Sequence, residues 1–331
     1  MPAHIASQEE IRALTSAFQK SRVLLTAADL DLFTHLGRAW HRPDELAPAI
    51  HADVRALDRL LGALTALGLC SKRGNAYQAT DAAHELLSTH SPKHLSLGHL
   101  SNLYSNWGSL TQAVRRGGSV LHLDFDDDSR REAFIAAMHA RARAGAEDMA
   151  RRLPLAGVRR ALDVGGGSGA YSMAMCQAEP DLTAVVLDLP EVTALTKRYV
   201  AEAGLSDRIS TLPGSFLERD WGAGYDLVFL SAIIHMLGPA DCEKLVRRAF
   251  AALNPGGSLA VVDFIMDAER TSPPFGAIFA LNMLVNTAEG DVYTENEVRD
   301  WLARAGFTDL RCEPIGEPGR AETSLSLGRK P

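Results

Sequence analysis

The chain has 331 residues, of which 46% are hydrophobic and 23% charged, with a formal net charge of −7. That is ordinary globular composition, long enough for two domains, and its acidity excludes bulk electrostatic recruitment to nucleic acid or to an anionic membrane. No run approaches the ~20 apolar residues of a membrane span, residues 1–14 lack the basic-then-apolar order of a secretory signal, and Cys70, Cys176, Cys242 and Cys312 are too scattered for a zinc ribbon or redox pair, so a cytoplasmic setting is expected.

Residues 8–36 read as one helix. Ser7 and Glu10 make a capping-box pattern, Ile11, Leu14, Phe18, Val23, Leu24 and Leu25 recur at helical spacing, and residues 28–36 continue it. Its apolar surface exceeds what a thin surface helix needs, so part of it is expected to meet a partner. Pro43 starts a short helix reaching Ile50. Residues 54–68 carry Leu57, Leu60, Leu61, Leu64 and Leu67 on an amphipathic helix that closes on Gly68. Residues 69–71 and 76–80 flank Arg73-Gly74-Asn75 as a hairpin. Helix, turn, helix, hairpin is a winged-helix pattern, which raises a DNA-binding regulator as an alternative. Residues 1–90 set nine Lys and Arg against ten Asp and Glu, a poor match to a phosphate backbone, so this part reads as a dimerisation and lid domain.

Residues 91–153 read as a helical linker. Helices are expected at 99–104 and 107–114, a break at Gly117-Gly118, an acidic loop at 124–128, and a long helix from Phe134 to Leu153. From residue 159 the text alternates. Strands are expected near 160–164, 184–188, 208–212, 225–231, 258–264, 307–313 and 323–328, with helices near 169–178, 191–203, 239–253 and 295–305. Such alternation predicts a parallel sheet covered by helices on both faces. The first strand runs into Gly165, Gly167 and Gly169 and then a helix, the layout of a nucleotide-type site. Asp188 ends the second strand about 20 residues later, where a doubly wound fold places a carboxylate on ribose hydroxyls. The glycine spacing is G-x-G-x-G rather than the dinucleotide G-x-G-x-x-G.

The run LDVGGGSG (Leu162 to Gly169), VVLDLP with Asp188, and LNPGG (Leu253 to Gly257) resemble the class I S-adenosylmethionine (SAM)-dependent methyltransferases. LDLF, PDELA and LDRLLGALTALGL resemble the N-terminal dimerisation domain of the plant caffeic-acid type O-methyltransferases and their bacterial relatives, which include hydroxyneurosporene and polyketide O-methyltransferases. The resemblance covers nearly the whole chain. It implies an α/β fold, a Rossmann-like SAM methyltransferase sheet preceded by a mainly α winged-helix dimerisation domain. The expected bounds are 1–90 for dimerisation, 91–153 for a linker that contributes to the substrate pocket, and 154–331 for the SAM-binding catalytic domain. A homodimer acting on a small-molecule acceptor is implied, with SAM as cofactor and neither nucleic acid nor membrane as partner.

The same resemblance assigns residues. Asp163 sits near the methionyl end of the cofactor, Gly165, Gly167 and Gly169 form the turn beneath it, and Asp188 and Leu189 follow at the second strand end. Gly214, Ser215 and Phe216 lie on the adenine side, with Ser215 where the family usually has an acid. Ser231 ends the fourth strand. His235 is the expected general base, since a phenol or enol must lose its proton as its oxygen attacks the methyl sulfonium and a base of pKa near 7 suits that step. Met236 follows it where the family has Asp. Asp263 falls where a carboxylate orients the histidine. A second supporting acid is expected in the Gly290–Thr294 run, but Val292 stands there, and the adjacent Asp291 is expected to point elsewhere. Trp107, Phe134, Met138 and His139 are candidates for the front wall of the acceptor pocket. Phe279, Asn282, Met283 and Asn286 are candidates for its back. No metal is called for, because no His and carboxylate set stands at ligand spacing. O-methylation of a small hydroxylated aromatic metabolite is the leading expectation. S-, N- or C-methylation is the alternative, and a SAM-sensing or DNA-binding regulator lies outside enzymes.

Overall fold

A computed structural model describes residues 5–121, 128–316 and 322–331. Most of the acidic stretch, Asp124 to Asp127, lies outside the described residues. The chain divides into two compact units, one ending at Ser105 and the other beginning at Asn106.

In the first unit α1 spans Gln8–Asp29, α2 Leu32–Leu36, α3 Pro43–Leu46, α4 Val54–Ala66, β1 Cys70–Arg73, β2 Ala76–Ala79 and α5 Asp81–Leu87, and α6, Gly98–Trp107, begins there and ends with Asn106 and Trp107 in the second unit. The capping box at Ser7 forms: Glu10 N–H donates to Ser7 Oγ at 3.1 Å, and Ser7 N–H returns a bond to Glu10 Oε2 at 2.9 Å. The single helix expected over 8–36 is broken. Asp31 adopts a left-handed φ of 48°, and its Oδ1 accepts the Thr34 hydroxyl at 2.5 Å, so a new helix starts there. A short carboxylate that bonds its own next turn tolerates this conformation where most residues do not. On α4 the Asp53 carboxylate caps Ala56 N–H at 2.9 Å. Leu57, Leu61 and Leu64 then bury against Leu32, Phe33, Leu36 and Tyr77, each fully buried leucine contributing about 1.5–3 kcal/mol. Tyr77 donates its hydroxyl to Asp58 Oδ1 at 2.7 Å and accepts from the Lys72 ammonium at 2.6 Å. The carboxylate and the lysine of the winged-helix motif are therefore engaged within the unit.

In the second unit α7 spans Leu110–Arg116, α8 Asp128–Arg152, β3 Arg160–Val164, α9 Ala170–Ala178, β4 Thr183–Asp188, α10 Pro190–Glu202, β5 Ile209–Pro213 and β6 Tyr225–Ser231. A short 3₁₀ turn, Ile234–Met236, precedes α11 at Pro239–Ala252. There follow β7 Leu253–Asp263, β8 Ile265–Met266, α12 Pro274–Asn286, β9 Tyr293–Thr294, α13 Glu295–Ala305, β10 Thr308–Ile315 and β11 Thr323–Arg329. The helix expected over 107–114 is interrupted, because Trp107 ends α6 and Ser109 N–H turns back to Asn106 O at 2.9 Å.

Seven strands form one sheet in the order β10-β11-β7-β6-β3-β4-β5. From β7 to β5 the pairings are parallel, while β11 and β10 are antiparallel additions. Strands covered on both faces must be apolar throughout, as Leu227 to Leu230 are. The ladder between β6 and β7 jumps from Tyr225↔Leu253 to Leu227↔Ser258. The expected Leu253–Gly257 turn is thus an excursion within β7, fastened by Asn254 Nδ2 donating to Asp226 Oδ1 at 2.8 Å. Chain order runs outward from β3 to β5 and then restarts at β6 on the other side of β3. The crevice at the carboxyl ends of β3 and β6 is where such sheets take ligands.

Candidate active site

β3 ends by burying a carboxylate. Asp163 is almost completely inaccessible, and its Oδ2 accepts the Ser172 hydroxyl of α9 at 2.7 Å. Its Oδ1 is buried with no partner. Burial, reinforced by the Asp188 charge and only partly offset by the Ser172 bond, pushes its pKa up to about 7. A buried unpaired carboxylate oxygen is costly and calls for a cationic donor.

This carboxyl makes the unliganded protein pH-sensitive. It is protonated more readily folded than unfolded, so its stabilising contribution is complete below 3.8 and is lost as pH rises through about 7. Asp163→Asn keeps a partner for Ser172 and removes the titration. The melting temperature of Asp163→Asn relative to wild type should therefore climb across that window, measured by calorimetry without ligand. A constant difference would contradict the burial assignment.

The turn after β3 is shaped by three glycines. Gly165 has φ +65°, and a Cβ on it would stand 2.2 Å from Ile233 Cδ1, so the side chain of the loop after β6 fills that side. Gly167 also has positive φ, +55°, but nothing lies within 4 Å of its Cβ position. The open face of the turn is therefore at Gly167, where a ligand can approach the backbone. Gly169 begins α9, closely packed against Thr196 of α10. Asp188 at the end of β4 accepts Gly167 N–H through Oδ2 and Leu189 N–H through Oδ1, each at 2.8 Å. Burial raises its pKa. Leu189 remains half exposed beside it. Across the crevice Gly214 N–H donates to Asp188 O at 2.8 Å. Ser215 Oγ accepts Leu217 N–H at 3.3 Å, and Phe216 Cε1 comes within 3.8 Å of the Gly165 Cβ position. Phe216 is held by Trp221 Nε1 donating to its carbonyl at 3.0 Å. Ser231 ends β6 beside Tyr171 of α9, whose phenol pKa is pushed up by burial.

Just past β6, Ala232 takes φ 57° and hands its N–H to Val262 O at 2.9 Å, which swings the chain into the 3₁₀ turn that carries His235. His235 is buried, and its Nδ1 lies 2.6 Å from Asp263 Oδ1 at the end of β7. Asp263 is itself held by Phe264 N–H at 2.8 Å and by His235 N–H at 3.4 Å. An acceptor-only carboxylate at Nδ1 fixes the proton there and leaves Nε2 as the acceptor. The imidazole packs edge-on to Phe279 at 5.1 Å and against Phe264 at 5.6 Å between centroids.

Val292 is completely buried in an apolar cluster with Phe264, Met266, Phe275 and Phe279. Asp291 turns to Arg270, whose guanidinium bonds Asp291 at 3.1 Å, Val292 O at 2.7 Å and Glu297 at 2.7 and 2.8 Å. One carboxylate, that of Asp263, therefore serves His235 among the described residues.

One turn beyond Phe279 on α12, Asn282 Oδ1 accepts Trp107 Nε1 at 2.9 Å and Asn286 Nδ2 at 3.1 Å. An indole N–H only donates, so the amide orientation is fixed and Nδ2 is left as a donor without a partner among the described residues. Asn286 is in turn bonded by Asn106 at 2.7 Å. Met283 is buried, Phe134 exposed and Met138 half-buried. His139 is placed differently from the expected pocket wall. Its Nδ1 lies 2.8 Å from Ser168 Oγ of the glycine turn, and its ring stacks on Tyr199 at 4.1 Å. Burial and the nearby Arg143 hold its pKa below the usual value. Ser168, Ser172 and Tyr171 carry no motif signal of their own, although α9 follows the glycines directly and aims its first turn at the same crevice.

A glycine turn with one open face, an orphaned carboxylate oxygen under it, a second carboxylate at the next strand end and a histidine–aspartate pair across the crevice fit SAM beside a nucleophile. The O-methyltransferase domain profile matches residues 108–308, and the O-methyltransferase dimerisation domain profile matches 13–89. The chain belongs to the O-methyltransferase family. This SAM-dependent methyltransferase is 31% identical over 92% of its length to 3-hydroxy-5-methyl-1-naphthoate 3-O-methyltransferase of Streptomyces sahachiroi, covering 91% of that protein. It is 30% identical to the tetracenomycin polyketide synthesis 8-O-methyl transferase TcmO of Streptomyces glaucescens, over 99% of this chain and 98% of the relative. The solved structure of PigF with S-adenosylhomocysteine (SAH) superimposes with a TM-score of 0.89 at 25% identity, covering 98% of this chain and 100% of that one. No helix among the described residues is long and apolar enough to cross a membrane.

Proposed function

We propose that the enzyme methylates a phenolic oxygen on a small aromatic metabolite, with His235 as general base and Asp263 as its orienting carboxylate. The 2.6 Å contact between His235 Nδ1 and Asp263 carries this reading. His235 Nε2 takes the hydroxyl proton, and Asp263 steadies the imidazolium until it loses that proton to solvent. Bound SAM supplies an electrophilic methyl, whose bond to the attacking oxygen forms as the C–S electron pair returns to sulfur, leaving SAH. Asp163 Oδ1 receives the methionyl ammonium, and Asp188 the ribose hydroxyls. Leu189, Gly214, Ser215 and Phe216 enclose the adenine, with Ser231 near the methionyl chain. Phe134, Met138, Trp107, Phe279, Met283 and Asn286 wall the acceptor. The Nδ2 of Asn282 donates to a second acceptor oxygen. The relative named above carries in its name a methyl transfer to the 3-hydroxyl of a naphthoate.

Val292 supports a second reading. Without a second acid the base is less strongly supported, and thiolate, amine or activated-carbon acceptors need less proton abstraction. Incubation with SAM and a panel of phenols, thiols and amines, read by the mass of one added methyl and its position, separates the two. Methylation at a phenol oxygen is expected; transfer only to sulfur, nitrogen or carbon would overturn the O-methylation reading.

We assign dimerisation to 1–90, a pocket-forming linker to 91–153 and cofactor chemistry to 154–331, a division supported by the dimerisation-domain match over 13–89 and the O-methyltransferase match over 108–308. A cytoplasmic, homodimeric enzyme fits the four free cysteines and the dimerisation-domain match. Ile11, Leu14 and Phe18 stand more than half exposed on α1 at i, i+3 and i+7, a stripe suited to a second copy of the chain. Leu14→Asp with Phe18→Asp should shift the protein to monomer in sedimentation. An unchanged dimer would remove α1 from the interface.

A further inference from the structure

Phe134, Met138 and Arg141 stand at i, i+4 and i+7 on α8 and share one helix face. The Arg141 guanidinium lies 5.5 Å over the ring of Phe264. That ring is 5.6 Å from the His235 imidazole and 4.3 Å from Phe279, so the cation rests on the aromatic floor that holds the histidine. Its charge also reaches the Tyr171 hydroxyl on the glycine-turn side. Arg152, Arg159 and Arg270 pair with carboxylates, and Arg208 and Arg248 bond backbone carbonyls. Arg141 is exposed and, like several surface arginines, has neither an ion pair nor a hydrogen bond among the described residues; what sets it apart is its place over Phe264 beside His235. Asp263, the nearest acid in sequence to Phe264, is already engaged by His235 and two backbone N–H groups.

We propose that Arg141 docks a carboxylate carried by the methyl acceptor, which makes the preferred substrate class an aromatic hydroxy acid. This rests on the reading of His235 as the base beside the acceptor. The planar guanidinium presents paired N–H donors that match a carboxylate in two parallel bonds. The face of Phe264 holds it at a set height, a contact worth more as water leaves. A ring lying against Phe264 and Phe279 then directs its hydroxyl to His235 Nε2 and its carboxylate to Arg141. The methionyl carboxylate of the cofactor has the same chemistry, and the test must tell the two apart.

The probes are a hydroxynaphthoic acid and its methyl ester, which share a hydroxyl and differ in charge. Wild type should prefer the acid in kcat/KM by about tenfold or more, as expected for a charge-assisted bidentate contact. Arg141→Gln should cost the acid about that factor, mainly in KM, and the ester far less, with the KM for SAM unmoved. Arg141→Lys should restore part of the preference, and Arg151→Gln on the same helix should leave the ratio intact. Binding of the acid to the SAH complex, followed by calorimetry, gives the same comparison without turnover. Equal acid and ester values in wild type, or a loss in Arg141→Gln confined to the KM for SAM, would overturn the assignment. If the mass-shift panel finds no phenol methylated, the proposed function fails; wild-type acid binding in Arg141→Gln would then fail the docking assignment separately.

Discussion

Replacing His235 by alanine should lower kcat/KM for a phenolic acceptor by about 10²–10⁴-fold, the usual range for a positioned acid–base group. Affinity for SAH should not follow, because the groups proposed to hold the cofactor, Asp163, Asp188 and the open face at Gly167, lie on other strand ends. The loss should fall on kcat, since the base acts only as the proton leaves. Asp263→Asn should cost nearly as much. An amide at that position can present N–H to Nδ1, which favours the wrong tautomer, and it leaves Phe264 N–H and His235 N–H with a poorer acceptor. Steady-state kinetics with parallel SAH calorimetry checks both. A wild-type rate in His235→Ala would make the histidine a structural group that happens to face the site.

The second large effect is expected from a residue that touches no substrate. Gly290 passes so close to the 3₁₀ turn that a Cβ would stand 2.4 Å from His235 O and 2.5 Å from Thr287 Oγ1. The neighbour is backbone and cannot swing aside as a side-chain tip can. Gly290 N–H also donates to Thr287 Oγ1 at 2.8 Å, which fixes the loop after α12 in place. Gly290→Ala must therefore push the His235 turn or the loop outward. A displacement of about 1 Å at the reacting group costs on the order of 10²-fold in kcat. The measured signature is a fall in kcat with the KM for SAM nearly constant. A wild-type kcat would mean that the loop yields without disturbing the histidine.

Much of this arrangement can be read along the chain because it is local. Buried parallel strands are apolar runs that end abruptly, so their carboxyl ends, and with them Asp163, Asp188, Ser231 and Asp263, can be located by eye. The break in the first helix is also local, but Asp31 sits in a run that still looks helical, and only its φ reveals the stop. Pairings across distant segments left no such trace. Trp107 meets Asn282 across 175 residues, and Asn106 meets Asn286 across 180. Periodicity places Phe134, Met138 and His139 on the same helix but does not say which neighbour each face meets. The stack on Tyr199 and the bond to Ser168 decide that for His139. The tie from Arg270 to Asp291 and Glu297 likewise explains why the acid beside Val292 cannot replace the missing one.

The most direct test of the central claim, that His235 Nε2 removes the acceptor proton, uses single-turnover methylation across a series of phenols of graded acidity. With wild type the rate should change little along the series, because the base performs the ionisation. In His235→Ala the rate should collapse for weakly acidic phenols and recover toward wild type for those already ionised in solution. A uniform loss across the whole series, including the ionised members, would contradict a base and leave His235 a positioning group alone.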